Sequence, residues 1–323
     1  MTEMPFTGRP ILRPTRRDVL GGLAAGAAAF ALRPVAAAAA GAATAADGPL
    51  HRPIPSSGVL LPAVGLGTWI TFNVGRDAQA IAGCTEVMRA FFDAGGRVID
   101  SSPMYGSSQM VVGQGLAALD ARDRVFSAEK VWTSSGSDGP GQIEETREFW
   151  GVKRFNLMQV HNLLAWQDHL ETLFAMKAEG RLGHVGITTS EGRRHDSFEQ
   201  VMATQPLDSV QVTYNPLDRE VEARILPLAA DHGQAVIVNR PFRQGALTRR
   251  LAGVPLPGWS RELEVSSWAQ ALLKFILAHP AVTCVIPATT RVDHVRENLA
   301  AASGPLPDRT LRERIAADVE AAV

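Results

Sequence analysis

Beyond its first fifty residues the chain alternates two hydrophobic patterns. Eight short apolar runs, "VGLGTW" (64–69), "RVID" (97–100), "RVFSAEK" (124–130), "FNLMQVH" (155–161), "GHVGITT" (183–189), "DSVQVTY" (208–214), "QAVIVN" (234–239) and "VTCVIPA" (282–288), have the length and β-branched content of strands. Between them lie amphipathic stretches such as "CTEVMRAFFDAGG", "SSQMVVGQGLAAL", "HLETLFAMKAEGR", "EARILPLAADHG" and "SWAQALLKFILAHP", several closing on Gly or Pro as helices do. Strand-then-helix units in sequence predict a parallel sheet, and strands that are apolar throughout predict one buried on both faces. Eight such units predict a closed α/β barrel, the (β/α)8 or TIM barrel. "GVLLPAV", just before the first strand, is expected to form a small hairpin across the barrel's bottom. An open doubly wound sheet is the alternative, but no G-x-G-x-x-G follows the first strand, which argues against a Rossmann domain.

The first 46 residues break the pattern. Arg16 and Arg17 precede an apolar run from Val19 to Leu32, and "AAAAAGAATAADG" then offers small-residue cleavage sites. The segment reads as a removable export signal, and "TRRDVL" resembles the twin-arginine (Tat) consensus, so export by the Tat machinery to the periplasm is expected. The run is short and alanine-rich, with Arg33 and Pro34 directly after it, so no stable membrane anchor is expected. Residues 47–323 then form a single barrel domain, expected to act as a monomer. A net charge of −1 gives no basic excess for nucleic acid or anionic lipid. Cys84 and Cys284 are expected to be unpaired buried thiols, since nothing in their spacing demands a bridge.

Barrel enzymes carry their chemistry at the C-terminal ends of the strands. There the sequence places Asp100, with Tyr105 five residues on in "SPMYG" (102–106), then Lys130 and His161 on the next two strands. A lone charge or histidine at a strand end is usually a solvated or hydrogen-bonded rim residue. Four from three successive strand ends, about 4.8 Å apart, can converge on one pocket. A lysine ammonium beside a phenol would lower the phenol's pKa, making Tyr105 a proton donor, while Asp100 holds Lys130 and His161 orients a substrate oxygen. This suits hydride addition to an aldehyde or ketone, where charge develops on a carbonyl oxygen and is quenched by a proton. No His/Asp/Glu cluster has metal-ligand spacing, and Asp100 has no acidic partner, which disfavours a hydrolase.

In these residues, and in "GLGTW", "RVID", "SPMYG", "AEKVW", "LMQVHN", "VQVTYNPL" and "VIPATTRVDHVRENL" taken in order, the chain resembles the aldo-keto reductase family from about Gly58 to Leu299. The resemblance implies a (β/α)8 barrel, a catalytic tetrad of Asp100, Tyr105, Lys130 and His161, and a nicotinamide dinucleotide bound without a Rossmann fold. It further implies that Gln211 contacts the nicotinamide carboxamide and Asn298 the adenine. Thr188 and Thr189 stand where many members have Ser-Asn, and Asn239 stands where an aromatic usually stacks on the nicotinamide. Arg240 is expected to reach the pyrophosphate. Ala288 and Thr289 occupy the places of a Lys-Ser pair that grips the 2′-phosphate, leaving Arg291 as the nearby cation, so NADPH is implied with NADH possible. Trp69, Trp132 and Trp259 are expected to line an apolar pocket for a small carbonyl substrate, with Trp166 near the same face. An open mouth is expected, because the C-terminal segment is a short link and the charged helix "DRTLRERIAADVEAA". The alternative from another class is an exported nucleotide-binding sensor barrel with little turnover.

Overall fold

The computed structural model describes residues 48–323; the proposed leader, with Arg16 and Arg17, lies outside them. An antiparallel pair, β1 (His51–Pro53) and β2 (Leu60–Pro62), comes first. The eight expected strands follow as β3 (Leu66–Gly67), β4 (Val98–Asp100), β5 (Phe126–Val131), β6 (Phe155–Val160), β7 (Leu182–Thr188), β8 (Ser209–Thr213), β9 (Ala235–Asn239) and β10 (Val282–Val285). They pair in parallel in chain order from β3 to β10. Bridges Val64–Val285 and Gly67–Ala288 join the first strand to the last and close the barrel.

The helices are α1 (Ala78–Asp93), α2 (Ser108–Ala118), α3 (Gly139–Trp150), α4 (Trp166–Ala178), α5 (His195–Thr204), α6 (Ile225–Asp231), α7 (Ala246–Arg250), α8 (Trp268–Leu277), α9 (Val292–Ala300) and α10 (Arg309–Ala322). Local chemistry starts several of them. Asp77 accepts from the Ala80 amide at the head of α1, Ser267 from Gln270 at α8, and Asp308 from Leu311 at α10. On α1 the buried positions Cys84, Val87, Met88, Phe91 and Phe92 recur at three- and four-residue intervals, which turns one stripe to the sheet.

Strand alternation sorts the interior into layers. At the N-terminal ends of the strands the inward residues are apolar: Val98, Phe126, Ala128, Leu157, Ala235, Ile237 and Cys284 pack with Ile54 and Leu61 of the hairpin segment, which plugs that end. The expected hairpin at the bottom is therefore present, with "LLP" paired to the upstream "HRP". Arg52 fastens it by donating to the carbonyls of Leu277 (2.6 Å), His279 (2.9 Å) and Val282, along the link from the end of α8 to the start of β10. Ser56 donates to Asp208 at 2.6 Å, and Asp208 is held in turn by Lys177. Two residues beyond Val98, Ala128 and Leu157 the inward positions become polar, at Asp100, Lys130 and Gln159, joined by Gln211 of β8, all buried. That switch marks the catalytic end. Cys84 lies in α1 and Cys284 in the barrel interior, both free thiols. Among the described residues no helix is long and apolar enough to cross a membrane.

Candidate active site

Asp100, the last residue of β4, and Lys130, on the neighbouring β5, form an ion pair of 2.6 Å whose side chains are 2% and 0% exposed. Lys130 Nζ also donates to the Ser101 carbonyl at 2.6 Å. The second oxygen of Asp100 accepts from Gln211 Nε2 on β8 at 2.9 Å and from Gln159 Nε2 on β6 at 3.4 Å. A buried carboxylate thus has a cation and two amide donors, so its hydrogen-bonding capacity is met away from water.

Tyr105 reaches this pair from a single tight turn, Pro103–Tyr105. Ser102 caps the turn by accepting from the Met104 amide at 3.2 Å, and Pro103 presets its first residue. Gly106 ends it at φ 60°, and a Cβ there would run into the Asn73 amide, so only glycine fits. The Lys130 ammonium sits 5.2 Å from the centre of the Tyr105 ring. His161, at the end of β6, stands edge-on to that ring with centroids 6.0 Å apart. Its Nδ1 is 2.9 Å from Ser102 Oγ. When the Ser102 hydroxyl donates to Nδ1, which its acceptance from Met104 allows, the neutral ring carries its proton on Nε2 and turns that donor away from Ser102.

Burial sets the protonation states. Desolvation, helped by the charges of Lys130 and Arg193, pushes His161 down to about 3, so the ring is neutral at physiological pH. Burial works against the charge on Lys130, but Asp100, Tyr105 and Glu129 outweigh it and hold the ammonium above its ordinary value. For Tyr105 the net effect corrects the sequence expectation: desolvation pushes the phenol up to about 12, and Lys130, which does pull it down, is outweighed. The phenol is therefore held protonated, a donor waiting for a stronger base.

Asp100, Tyr105 and His161 line a cavity of about 1020 Å³, with Lys130 buried behind them. Of the residues that sequence reasoning assigns to a cofactor, Gln211, Thr188, Thr189, Arg240, Thr289, Arg291 and Asn298 all lie on its wall. Thr188 Oγ1 accepts from the Asn162 amide at 3.2 Å, and Thr189 Oγ1 donates to the Arg193 carbonyl at 2.5 Å. Asn239, in place of the expected aromatic, donates to the Thr189 carbonyl at 2.9 Å and to Gln211 Oε1 at 3.3 Å, so it braces the amide-binding corner without stacking. Arg240 pairs with Glu191 at 2.8 Å across the mouth, and both hold positive φ, 52° and 60°. Arg291 pairs with Asp293, and Thr289 Oγ1 accepts from the Arg291 amide at 3.1 Å.

The tryptophans need correction. Trp69 lines the cavity as expected. Trp259 does not: it is 1% exposed, donates to Asp318 of α10 at 2.7 Å and packs edge-on against Trp268. Trp132 is 39% exposed outside the cavity wall, its backbone clamped by both ends of the Gln142 amide. Trp166 opens α4, packed against the core. The indole on the wall that sequence reasoning misses is Trp268, concealed because it begins an all-round apolar helix. Ile70, Met104 and Asn162 are also missed, as is much of the segment 241–256, which lines the cavity where the C-terminal helix does not. Among the described residues no group of three His, Cys, Asp or Glu side chains is placed to hold a metal.

Residues 63–315 match the model of the aldo/keto reductase family. The chain belongs to that family. As an aldo/keto reductase it is an oxidoreductase, and its similarities to individual proteins agree. It is 27% identical over 252 residues to methylglyoxal reductase YeaE of Escherichia coli, covering 76% of this chain and 87% of that protein. It is 25% identical to the NADH-specific methylglyoxal reductase of the same organism, covering 79% and 94%. Among solved structures, the Klebsiella pneumoniae aldo/keto reductase in complex with NADP and acetate superposes with a TM-score of 0.68 at 24% identity, over 82% of this chain and 92% of that one. The holo form of an aldo-keto reductase from Bacillus halodurans gives 0.69 at 20% identity, over 84% and 96%. These likenesses confirm the barrel.

Proposed function

We propose that the barrel reduces aldehyde and ketone carbonyls, and oxidises the corresponding alcohols, with NADPH as the preferred cofactor and NADH accepted. The observation that carries this reading is the buried Lys130–Asp100 pair beneath Tyr105, opening onto a cavity large enough for a dinucleotide. The residues present fit such a cofactor: amide and hydroxyl groups at Gln211, Thr188 and Thr189 near the tetrad, guanidinium groups at Arg240 and Arg291 further out, and Asn298 at the far wall. A nicotinamide dinucleotide supplies the transferable hydride when bound. Neutral His161 presents Nε2–H to the substrate oxygen and orients it beside Tyr105. As negative charge grows on that oxygen, the phenol gives up its proton, and Lys130 stabilises the phenolate left behind. Asp100 keeps Lys130 charged and in place. Ile70, Met104 and Trp69 give the substrate end an apolar rim. Loss of NADPH absorbance with a panel of aldehydes, beginning with the methylglyoxal named for two relatives, tests the reading; no turnover with any of them would refute it.

Cofactor choice is expected to be mild. Arg291 is already neutralised by Asp293 and lies at an exposed site, so Arg291→Ala should weaken NADPH about fivefold or less and leave NADH unchanged. Titrating both cofactors checks this, and an equal loss for both would remove Arg291 from the 2′-phosphate.

We further propose that residues 1–46 are a Tat-type signal that delivers the barrel, as a monomer, to the periplasm. The paired arginines ahead of a short apolar run support this. Replacing both, Arg16→Lys with Arg17→Lys, is expected to leave the protein in the cytoplasmic fraction. Unimpaired export would show that the route is misread.

A further inference from the structure

Glu129 and Lys130 are neighbours on β5, so their side chains leave the strand on opposite faces. Lys130 enters the barrel, and Glu129 enters the layer between sheet and helices, where it is 0% exposed. Three donors converge on its carboxylate: Gln109 Nε2 of α2 at 3.1 Å, Trp150 Nε1 of α3 at 2.8 Å and the backbone amide of Lys130 at 2.9 Å. Gln109 Nε2 also reaches Thr146 Oγ1 on α3 at 3.1 Å. Burial raises the Glu129 carboxyl to about 7, and the cation that opposes this is Lys130, on the far side of the sheet. A wholly buried carboxyl is costly, and an apolar residue of the same volume would serve packing as well or better. Its partners give it another role. The strand β4 ends opposite Ala128, and the Lys130 amide beyond that point is met by the Glu129 carboxylate. The first turn of α2 supplies Gln109, and the residue before it, Ser108, donates to the Tyr105 carbonyl at 2.9 Å.

We infer that Glu129 is a positioning residue that fixes Lys130 against Tyr105 by tying β5, through Gln109, to the turn that carries the tyrosine. The inference rests on the carbonyl-reductase reading. The tie runs from the Lys130 amide through the Glu129 carboxylate and Gln109 to Ser108 and the Tyr105 backbone, and every link is buried or nearly so. Loosening it lets the ammonium drift from the phenol without altering the cavity where cofactor and substrate bind.

The informative variant is Gln109→Met, which keeps size and net charge and removes only the amide. Its kcat is expected to fall about tenfold, in line with the cost of small misplacements of catalytic groups. KM, and the NADPH Kd read from tryptophan fluorescence, should stay within about twofold of wild type. In alcohol oxidation kcat should fall in parallel, because a receding Lys130 leaves the Tyr105 phenolate less stabilised in both directions of the reaction. Glu129→Gln, which keeps one acceptor of two, should lower kcat at least as much. A folded Gln109→Met enzyme with wild-type kcat in both directions would overturn the inference, as would a loss confined to KM and Kd. An active wild type with that result leaves the carbonyl-reductase reading standing, whereas an inactive wild type overturns both.

Discussion

Tyr105→Phe is expected to lower carbonyl-reducing turnover by two to four factors of ten while leaving NADPH affinity nearly unchanged. The substitution removes one oxygen from a side chain that packs edge-on to His161 and lies 5.2 Å from Lys130, and it alters none of the amide or guanidinium groups along the cavity wall. Each factor of ten is about 1.4 kcal/mol of transition-state free energy, and a positioned acid typically contributes two to four of them. Because burial holds the phenol up to about 12 and His161 down to about 3, neither group should change protonation state in the free enzyme between pH 5 and 9. Turnover measured under single-turnover conditions, alongside a fluorescence titration of cofactor, checks the result. A Phe enzyme retaining more than a tenth of wild-type chemistry would remove Tyr105 from the role of acid.

Lys130→Met should do comparable damage to catalysis and, unlike the tyrosine substitution, should also destabilise the fold. It strands the Asp100 carboxylate, 2% exposed, with only the amides of Gln211 and Gln159 for company. Breaking one side of a buried pair typically costs about 3–5 kcal/mol, much of it the cost of the unpaired charge left behind. Denaturant unfolding should therefore show a lower midpoint with an unchanged slope, while Tyr105→Phe stays near wild type. Equal stability of the two variants would mean that the pair contributes little to folding.

The barrel and the tetrad are legible in the sequence because each depends on short-range pattern. Apolar strands repeat at regular intervals, and Asp100, Lys130 and His161 fall where those runs end. The three residues become neighbours once the strands pair in order, which requires no knowledge of the loops. Trp259 is misplaced by sequence reasoning for the opposite reason. Its partners, Trp268 and Asp318, come from a helix and from the C-terminal segment, and no local pattern says where those return. Glu129 escapes notice because "AEK" reads as a charged rim; only strand parity together with the arrival of α2 and α3 buries it. The phenol's upward shift is equally hidden, because charges are visible in a sequence, whereas loss of water around a side chain belongs to the folded state.

Closure of the barrel joins its first strand to its last. Gly65 donates to the Val285 carbonyl at 2.8 Å, Val285 to Ala63 at 2.9 Å and Gly67 to Pro287 at 3.0 Å, while Leu50 donates to Ala302 at 2.8 Å. The first strand thus waits, unpaired on one edge, until the last has been made. Contacts of such large sequence separation are slow to form, and an open strand edge is prone to pairing with the wrong neighbour. A chain truncated before Val282 therefore lacks the strand that closes the ring.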